Sequence, residues 1–352
     1  RETQIHLCHY HWYRVIYKYS IKKQETMISV IIPYYCKSNP VQTEQLLHRA
    51  IISASKELRE CDSYEIIVVD DGSEFPPRNI QFEFDSNLPI KFFNIPHGCL
   101  GAARNYGVER SRGDYLLFLD ADDYYFPGTL SICIEKAKKA NVELLMYGMK
   151  QVSGNSIQTI KRKRISFSNA ISGNEFMATH NLPGSSCSFI IKKAFLSREG
   201  LKFRENSFLE DEDFTPRLLH CCQSIIFTNF PVYAYYTREG SIVDTLNKEA
   251  TKRIDIATEV IARLLEYKNN HIEEPHNGLD RKINTLTLDC IRLSLRDEKW
   301  RETLQHSISC LEKIGTYPLA NSNFSIRYSL YRLLLRTEFG IKILHHIEKI
   351  KL

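Results

Sequence analysis

The sequence predicts an α/β fold: a layered, mostly parallel sheet flanked by helices, followed by a helical C-terminal region. Three observations carry that expectation. Short apolar runs rich in β-branched residues alternate with segments of helical period over the first 150 or so residues. The polar clusters of that region lie at the ends of those runs. From about residue 246 onward only helical periodicity remains.

Ile28–Ile32 is a β-branched run ended by Pro33, the pattern of a buried parallel strand. Leu46, Leu47, Ala50, Ile51, Ala54 and Leu58 then recur at helical spacing on one face. Glu65–Val69 is a second buried strand, running into Asp70-Asp71-Gly72-Ser73, and Ile90–Ile95 is a third. Gly98-Cys99-Leu100-Gly101 opens a helix through Ala102, Ala103, Tyr106 and Val108 that closes near Gly113. Tyr115–Leu119 reads as the fourth strand, residues 128–140 as a helix and Val142–Tyr147 as a further strand.

The stretch 149–245 is more mixed. Its basic run Lys161-Arg162-Lys163-Arg164 reads as a solvated strand or loop, because no aromatic interleaving or nucleic-acid motif accompanies it. Beyond it, Ile254, Ala257, Val260, Ile261 and Leu264 mark one helix face. The last segment, Ile326–Leu352, sets Leu330, Leu333, Leu334, Ile341, Leu344 and Ile347 among Arg327, Arg332, Arg336, Lys342, Lys349 and Lys351. Such a helix either packs against the catalytic domain, which we favour, or lies on an anionic membrane.

The 352 residues allow one large domain with an appendage, or two domains, and 43% hydrophobic with 25% charged residues fits a globular protein. A net charge of +5 suits a polyanionic ligand or an anionic surface without demanding either. No segment approaches the roughly 18 apolar residues of a membrane-spanning helix. The ten Cys are scattered and include no Cys-x-x-Cys pair, so they read as reduced thiols of a cytoplasmic protein and not as a zinc site. Residues 1–26 are aromatic and basic, without the apolar core or cleavage site of a signal peptide, and are expected to extend outside the fold.

The chemistry is expected at the strand ends, where open α/β sheets bind ligands. Asp120-Ala121-Asp122-Asp123 places three carboxylates directly behind an apolar run. Taken alone, the cluster could be a solvated turn capping the next helix. Crowded carboxylates beside a buried strand are better explained by a cation, and their oxygens are hard ligands for Mg²⁺ or Mn²⁺ bound together with phosphates. Pro33-Tyr34-Tyr35 and Asp70-Asp71 end neighbouring strands and form a candidate pocket in which an aromatic ring stacks on a nucleobase. The Gly98–Gly101 turn offers N–H groups at a helix start for phosphate oxygens, and Arg104 could contact phosphate or buttress Asp120. Asp122, helped by Asp120, would hold a metal-bridged diphosphate. The later run Phe208-Leu209-Glu210-Asp211-Glu212-Asp213-Phe214 is either an acidic helix start or the source of a base for an attacking hydroxyl. Neither a Gly-x-Gly-x-x-Gly after the first strand nor a Gly-Lys-[Ser/Thr] loop is present, which removes dinucleotide and P-loop readings.

Together these segments resemble the family 2 glycosyltransferases, inverting enzymes of the GT-A fold. The matching elements are Ser29–Tyr35, Glu65–Ser73, Gly101–Gly107, Arg112–Asp123, Glu210–Phe214 and Tyr235–Ile242, in the family's order. The resemblance implies a GT-A domain, a Rossmann-like nucleotide-diphospho-sugar transferase fold with a mixed, mostly parallel sheet, over residues 27–245. Residues 27–124 would form its nucleotide-binding half and 125–245 its acceptor half, with 246–352 the helical region.

It further implies that Pro33, Tyr35 and Asp71 contact the nucleobase or ribose, and that Asp120 and Asp122 form the Asp-x-Asp motif with Asp122 the closer ligand to Mg²⁺ or Mn²⁺. Asp211 would deprotonate the acceptor, and Arg238 and Ser241 would face the diphosphate. The reaction implied is one in-line displacement with inversion, from a nucleotide-sugar donor, UDP-sugar being the favoured class, to a glycan or lipid-linked acceptor. The main reading is therefore an enzyme that builds a cell-surface glycan, such as capsule or lipopolysaccharide, from the cytoplasmic side, with peripheral association at the inner membrane and no nucleic-acid partner as expectations. Where the family usually carries Asn after Pro-x-Tyr this chain has Cys36, and Tyr235–Ile242 contains no His for the metal. The rival reading is a non-catalytic sugar-nucleotide or carbohydrate-binding module on the same fold. A third, a nucleotidyltransferase, requires a Gly-rich loop with a basic residue where Pro33-Tyr34-Tyr35-Cys36 stands.

Overall fold

In the computed structural model of the chain, residues 25–77, 80, 88–154, 156–159, 169–182, 184–237, 249–322 and 324–350 are described. Nearly all of the expected N-terminal extension lies outside them, as do the run Lys161–Arg164 and the two candidate residues Arg238 and Ser241. The first half runs β1 (Met27–Tyr34), α1 (Pro40–Leu58), β2 (Ser63–Asp70), β3 (Ile90–Asn94), α2 (Cys99–Arg110), β4 (Tyr115–Phe118), β5 (Tyr124–Tyr125) and α3 (Leu130–Ala140). There follow β6 (Leu144–Ser153), β7 (Ser156–Thr159), α4 (Gly173–Thr179), β8 (Phe189–Lys192), α5 (Lys193–Arg198), α6 (Glu210–Cys221) and β9 (Ile225–Tyr236). The C-terminal helices are α7 (Ala250–Asn269), α8 (Asn277–Arg296), α9 (Trp300–Lys313), α10 (Ile326–Leu334) and α11 (Glu338–Ile350).

These strands form one sheet in the order β3-β2-β1-β4-β8-β6-β9-β5, with β7 paired to β6. β1 runs parallel to β2 and β4, and β2 parallel to β3, so β1, β2 and β4 present their carboxyl ends along one edge. The register places Tyr34 beside Asp70. Ile28, Val30, Ile31 and Ile32 are wholly buried, as a strand covered on both faces requires. α1 starts earlier than its apolar face, because Pro40 supplies a fixed φ and a missing N–H where a helix tolerates both. Beyond β4 the sheet is mixed, although β6 and β9 still pair parallel. β8 is antiparallel to both β4 and β6, because the mixed segment supplies it as a four-residue strand instead of a full strand–helix–strand unit.

Among the described residues there are two large apolar cores, besides a small cluster of Ile67, Val69 and Ala103. One is built around the sheet and reaches as far as Leu279, and the other is built among the C-terminal helices from Ile254 to Leu344. α8 belongs to both, since Leu279 packs with the first and Ile283 with the second. The terminal segment, expected as one helix against the catalytic domain, is instead two helices. α11 packs on α8 and α10, with Leu344 wholly buried. Glu348 is fully buried there and accepts hydrogen bonds from Arg296 Nε at 2.7 Å and from the Tyr331 hydroxyl.

Candidate active site at the carboxyl edge of the sheet

At the end of β1, Pro33 is buried and the Tyr35 ring stands 41% exposed. It stacks on the His97 ring with centroids 4.6 Å apart and planes 24° from parallel. Asp71, buried just beyond β2, holds the same corner. Its Oδ1 accepts the Gly98 N–H at 2.8 Å, and its Oδ2 lies 2.8 Å from His97 Nδ1. Burial pushes the Asp71 carboxyl above the usual range, opposed by that N–H and by His97. Asp70 turns inward and takes Ser73 N–H and Asn94 Nδ2, so it fixes the turn.

The Gly98–Gly101 turn is packed, contrary to the expectation of an open phosphate seat. Its Gly98 N–H is used by Asp71, the Gly98 carbonyl accepts Asn206 N–H at 3.0 Å, and a Cβ at Gly101 would collide with the Arg204 carbonyl. No motif in the sequence marks His97. Only its place after the third strand, between Pro96 and Gly98, distinguishes it.

The Arg104 side chain is wholly buried and forms the centre of the site. Nη2 donates to Asp120 Oδ1 at 2.9 Å, while Nη1 donates to Glu210 Oε1 at 2.7 Å and to Asp211 Oδ1 at 3.2 Å. Of the two roles open to it, Arg104 takes the buttressing one. Sealed among three carboxylates, it cannot be the donor contact that the sequence reading also allowed.

Asp211 opens α6. Its Oδ1 also accepts the Ser186 N–H at 3.2 Å, and its side chain keeps 22% exposure. Burial lifts its pKa, with Arg104 opposing and Asp120 adding to the rise. Burial brings Glu210 to about 7. Two further contacts hold this helix start. Gly184 N–H donates to Glu212 Oε1 at 3.0 Å, and Lys282 Nζ of α8 donates to Glu212 Oε2 at 2.5 Å and to the Leu182 carbonyl at 2.8 Å. Lys282 thus ties the helical region to the turn that carries Asp211, and nothing in its sequence surroundings points to that role.

The carboxylates of the 120–123 turn differ in fate. Asp120 is partly exposed, Asp122 likewise, and Asp123 is buried. Asp123 was open to reading as a helix cap. It instead accepts the Tyr233 hydroxyl at 2.5 Å and Tyr236 N–H at 2.7 Å, pinning β9 to the turn. Burial, followed by the charges of Asp122 and Asp120, holds the Asp123 carboxyl well above its usual range. Arg49 donates to the Asp122 carbonyl at 2.6 Å while its guanidinium lies 4.7 and 4.5 Å from the Tyr124 and Tyr236 ring centres. This clamp was not legible from spacing, since its parts come from α1, β5 and β9.

Among the described residues, Asp120, Glu210 and Asp211 share the one guanidinium of Arg104, and all their donors are hard oxygens. That excess fits a divalent cation. Among the described residues these carboxylates do not bring three ligand atoms within 4.8 Å of one another. A cation held by Asp122 and Asp120 would therefore complete its shell with phosphate oxygens and water, as Mg²⁺ commonly does.

Residues 29–202 match the family model described as glycosyl transferase family 2. An uncharacterized glycosyltransferase of Haemophilus influenzae is 27% identical over 261 residues, which cover 69% of this chain and 80% of that protein. The uncharacterized glycosyltransferase YibD of Escherichia coli is 22% identical over 305 residues, covering 82% and 85% of the two chains. Two uncharacterized glycosyltransferases from Rickettsia conorii and Rickettsia felis align over only 22% of their own length. Among solved structures, S. aureus TarS 1–349 in complex with UDP-GlcNAc superposes with a TM-score of 0.63 at 18% identity, covering 92% of this chain and 89% of that one. At that identity the likeness is one of fold, the GT-A arrangement.

Proposed function

Since this chain belongs to glycosyl transferase family 2, we propose that it transfers a hexosyl unit with inversion from a UDP-sugar to a hydroxyl of a glycan or lipid-linked acceptor. The observation that carries this reading is the single buried guanidinium of Arg104, which joins the Asp-x-Asp carboxylate Asp120 to the acid at the start of α6, Asp211. A donor site and a base site that share one cation are held at a fixed separation, as an in-line displacement needs.

On this reading the nucleobase stacks at Tyr35 and His97, with Asp71 behind them. Asp122 and Asp120 hold Mg²⁺ or Mn²⁺, which when bound supplies positive charge against the departing diphosphate. Asp211, partly exposed and raised in pKa, takes the acceptor's proton as the hydroxyl attacks. Arg238 and Ser241, outside the described residues, are the diphosphate partners that the resemblance implies. UDP as the nucleotide draws support from the fold likeness to TarS, a protein whose complex contains UDP-GlcNAc. The test is a thermal-shift screen of UDP-, GDP- and dTDP-sugars with Mn²⁺. A donor at 100 times its Kd should stabilise the fold by about 2.7 kcal/mol. If none of these donors shifts unfolding and none releases its nucleotide, the reading fails.

We further place the reaction in cell-surface polysaccharide synthesis, capsule or lipopolysaccharide, at the cytoplasmic face of the membrane. Among the described residues no helix is long and apolar enough to cross a membrane. α10 and α11 nevertheless leave Ile326 92%, Leu333 61% and Phe339 75% exposed, beside Arg327, Arg336 and Lys342. That composition is complementary to an anionic lipid surface. The protein should float with phosphatidylglycerol vesicles and not with phosphatidylcholine vesicles, and Phe339→Glu should abolish flotation. Equal flotation of that variant would remove the membrane assignment.

A further inference from the structure

A second group of metal-type ligands lies away from the sheet edge, between α7 and α9. His306 and Cys310 are four residues apart on α9, so both project from one helix face, and Asp255 of α7 meets them. His306 Nε2 lies 2.6 Å from Asp255 Oδ1 and 3.7 Å from Cys310 Sγ, and the three donor atoms all fall within 4.8 Å of one another. Both contacts meet on the same ring nitrogen. A Cys–His–Asp nucleophile needs the thiol on one ring nitrogen and the carboxylate on the other, so this is not a catalytic relay. Three donor atoms within 4.8 Å of one another are instead a set that one ion can bridge.

We propose that Asp255, His306 and Cys310 form a three-ligand site for a borderline-soft divalent cation, Zn²⁺ being the best match, with water in the fourth position. Tetrahedral geometry with ordinary Zn–N and Zn–S bonds sets nitrogen and sulfur about 3.6 Å apart, and the structure has 3.7 Å. The matching nitrogen–oxygen separation is about 3.4 Å, so Asp255 must draw back from its present hydrogen bond. It is half-exposed and free to do so. On binding, Cys310 loses its thiol proton to solvent, His306 gives up the Nε2 proton that now meets Asp255 and carries its one remaining ring proton on Nδ1, and the two negative charges of Asp255 and Cys310 neutralise the ion. The bound ion would pin α7 to α9, the two helices that flank α8, while α7 also packs on α6, the helix that carries Asp211.

The site is separate in chemistry from Asp120 and Asp122, whose hard oxygens favour Mg²⁺ or Mn²⁺. Cys-x-x-Cys spacing does not mark it, because its ligands come from two helices.

Titrating Co²⁺ into the full metal-free chain tests the proposal. A thiolate-to-cobalt charge-transfer band should rise to saturation at one equivalent and be discharged by Zn²⁺. Cys310→Ser should lose the band, while Asp122→Ala should keep it. Asp255→Asn and His306→Ala should each weaken Zn²⁺ by more than the ~10–100-fold that loss of an outer-shell partner costs. Metal-free melting curves matching wild type will show that these variants fold. No band in wild type overturns the proposal, and so does a band that survives Cys310→Ser.

Discussion

Arg104 Nη1 lies 3.2 Å from Asp211 Oδ1, although 107 positions separate the two residues in the chain. The other terminal nitrogen of the same guanidinium holds Asp120. One buried cation therefore joins the 120–123 turn to the start of α6, and the charge of Asp120 adds to the rise in the Asp211 pKa that burial causes.

Arg104→Met removes the partner of three carboxylates and leaves them facing one another in a buried setting. We expect a loss of about 3–5 kcal/mol in unfolding free energy, read from urea denaturation. Arg104→Lys should recover only part, since one ammonium cannot reproduce the fork that reaches Asp120 and Asp211 together. An unchanged denaturation midpoint for the Met variant would contradict the central role of Arg104.

Asp211→Asn keeps the size of the side chain and removes the carboxylate proposed as the base. Transfer should fall by about 10²–10⁴-fold, while calorimetry shows near wild-type binding of donor with Mn²⁺. Wild-type turnover in this variant would remove Asp211 from the role.

For Asp122→Ala the order reverses. Metal-dependent donor binding should be lost, whereas the melting temperature of the protein alone should change little, because Asp122 is partly exposed. Unchanged calorimetric affinity for the donor in Mn²⁺ would sink the metal assignment.

Burial lifts Glu210 to about 7 from an ordinary 4.5, with Arg104 opposing and Asp211 adding to the rise. A carboxyl whose folded pKa lies above its unfolded one binds its proton more tightly in the fold. Its stabilising effect is full below pH 4.5 and disappears as pH climbs through about 7. Glu210→Gln, with no proton to lose, should flatten that part of the stability–pH curve. A slope identical to wild type would show that Glu210 does not titrate there.

Gly184 backs directly onto the first turn of α6. A Cβ at that position would sit 2.6 Å from Glu212 N and 2.7 Å from the Asp211 carbonyl oxygen. Gly184→Ala should cost about 1–3 kcal/mol through overpacking and lower turnover more than it weakens donor binding. Equal loss of both would mean that the displacement is not confined to the base.

Much of this protein was legible from local pattern. The apolar runs of β1, β2 and β4 and the polar residues behind them follow from alternation and composition alone. A parallel arrangement of those strands then requires Tyr35, Asp71 and Asp120 to share an edge. The sequence by itself determined the strand ends, the acids placed on them and the helical character of the last hundred residues, because these depend on neighbours within a few positions.

Only the tertiary structure decided how those acids are used. Asp123 pins Tyr233 and Tyr236, Arg104 is sealed between Asp120 and Asp211, Lys282 reaches Glu212 from another helix, and α11 packs on α8 instead of the sheet. Each of these is a buried pairing between residues far apart in the chain. Whether a charged side chain is exposed or paired depends on which distant element covers it, and local periodicity carries no information about that.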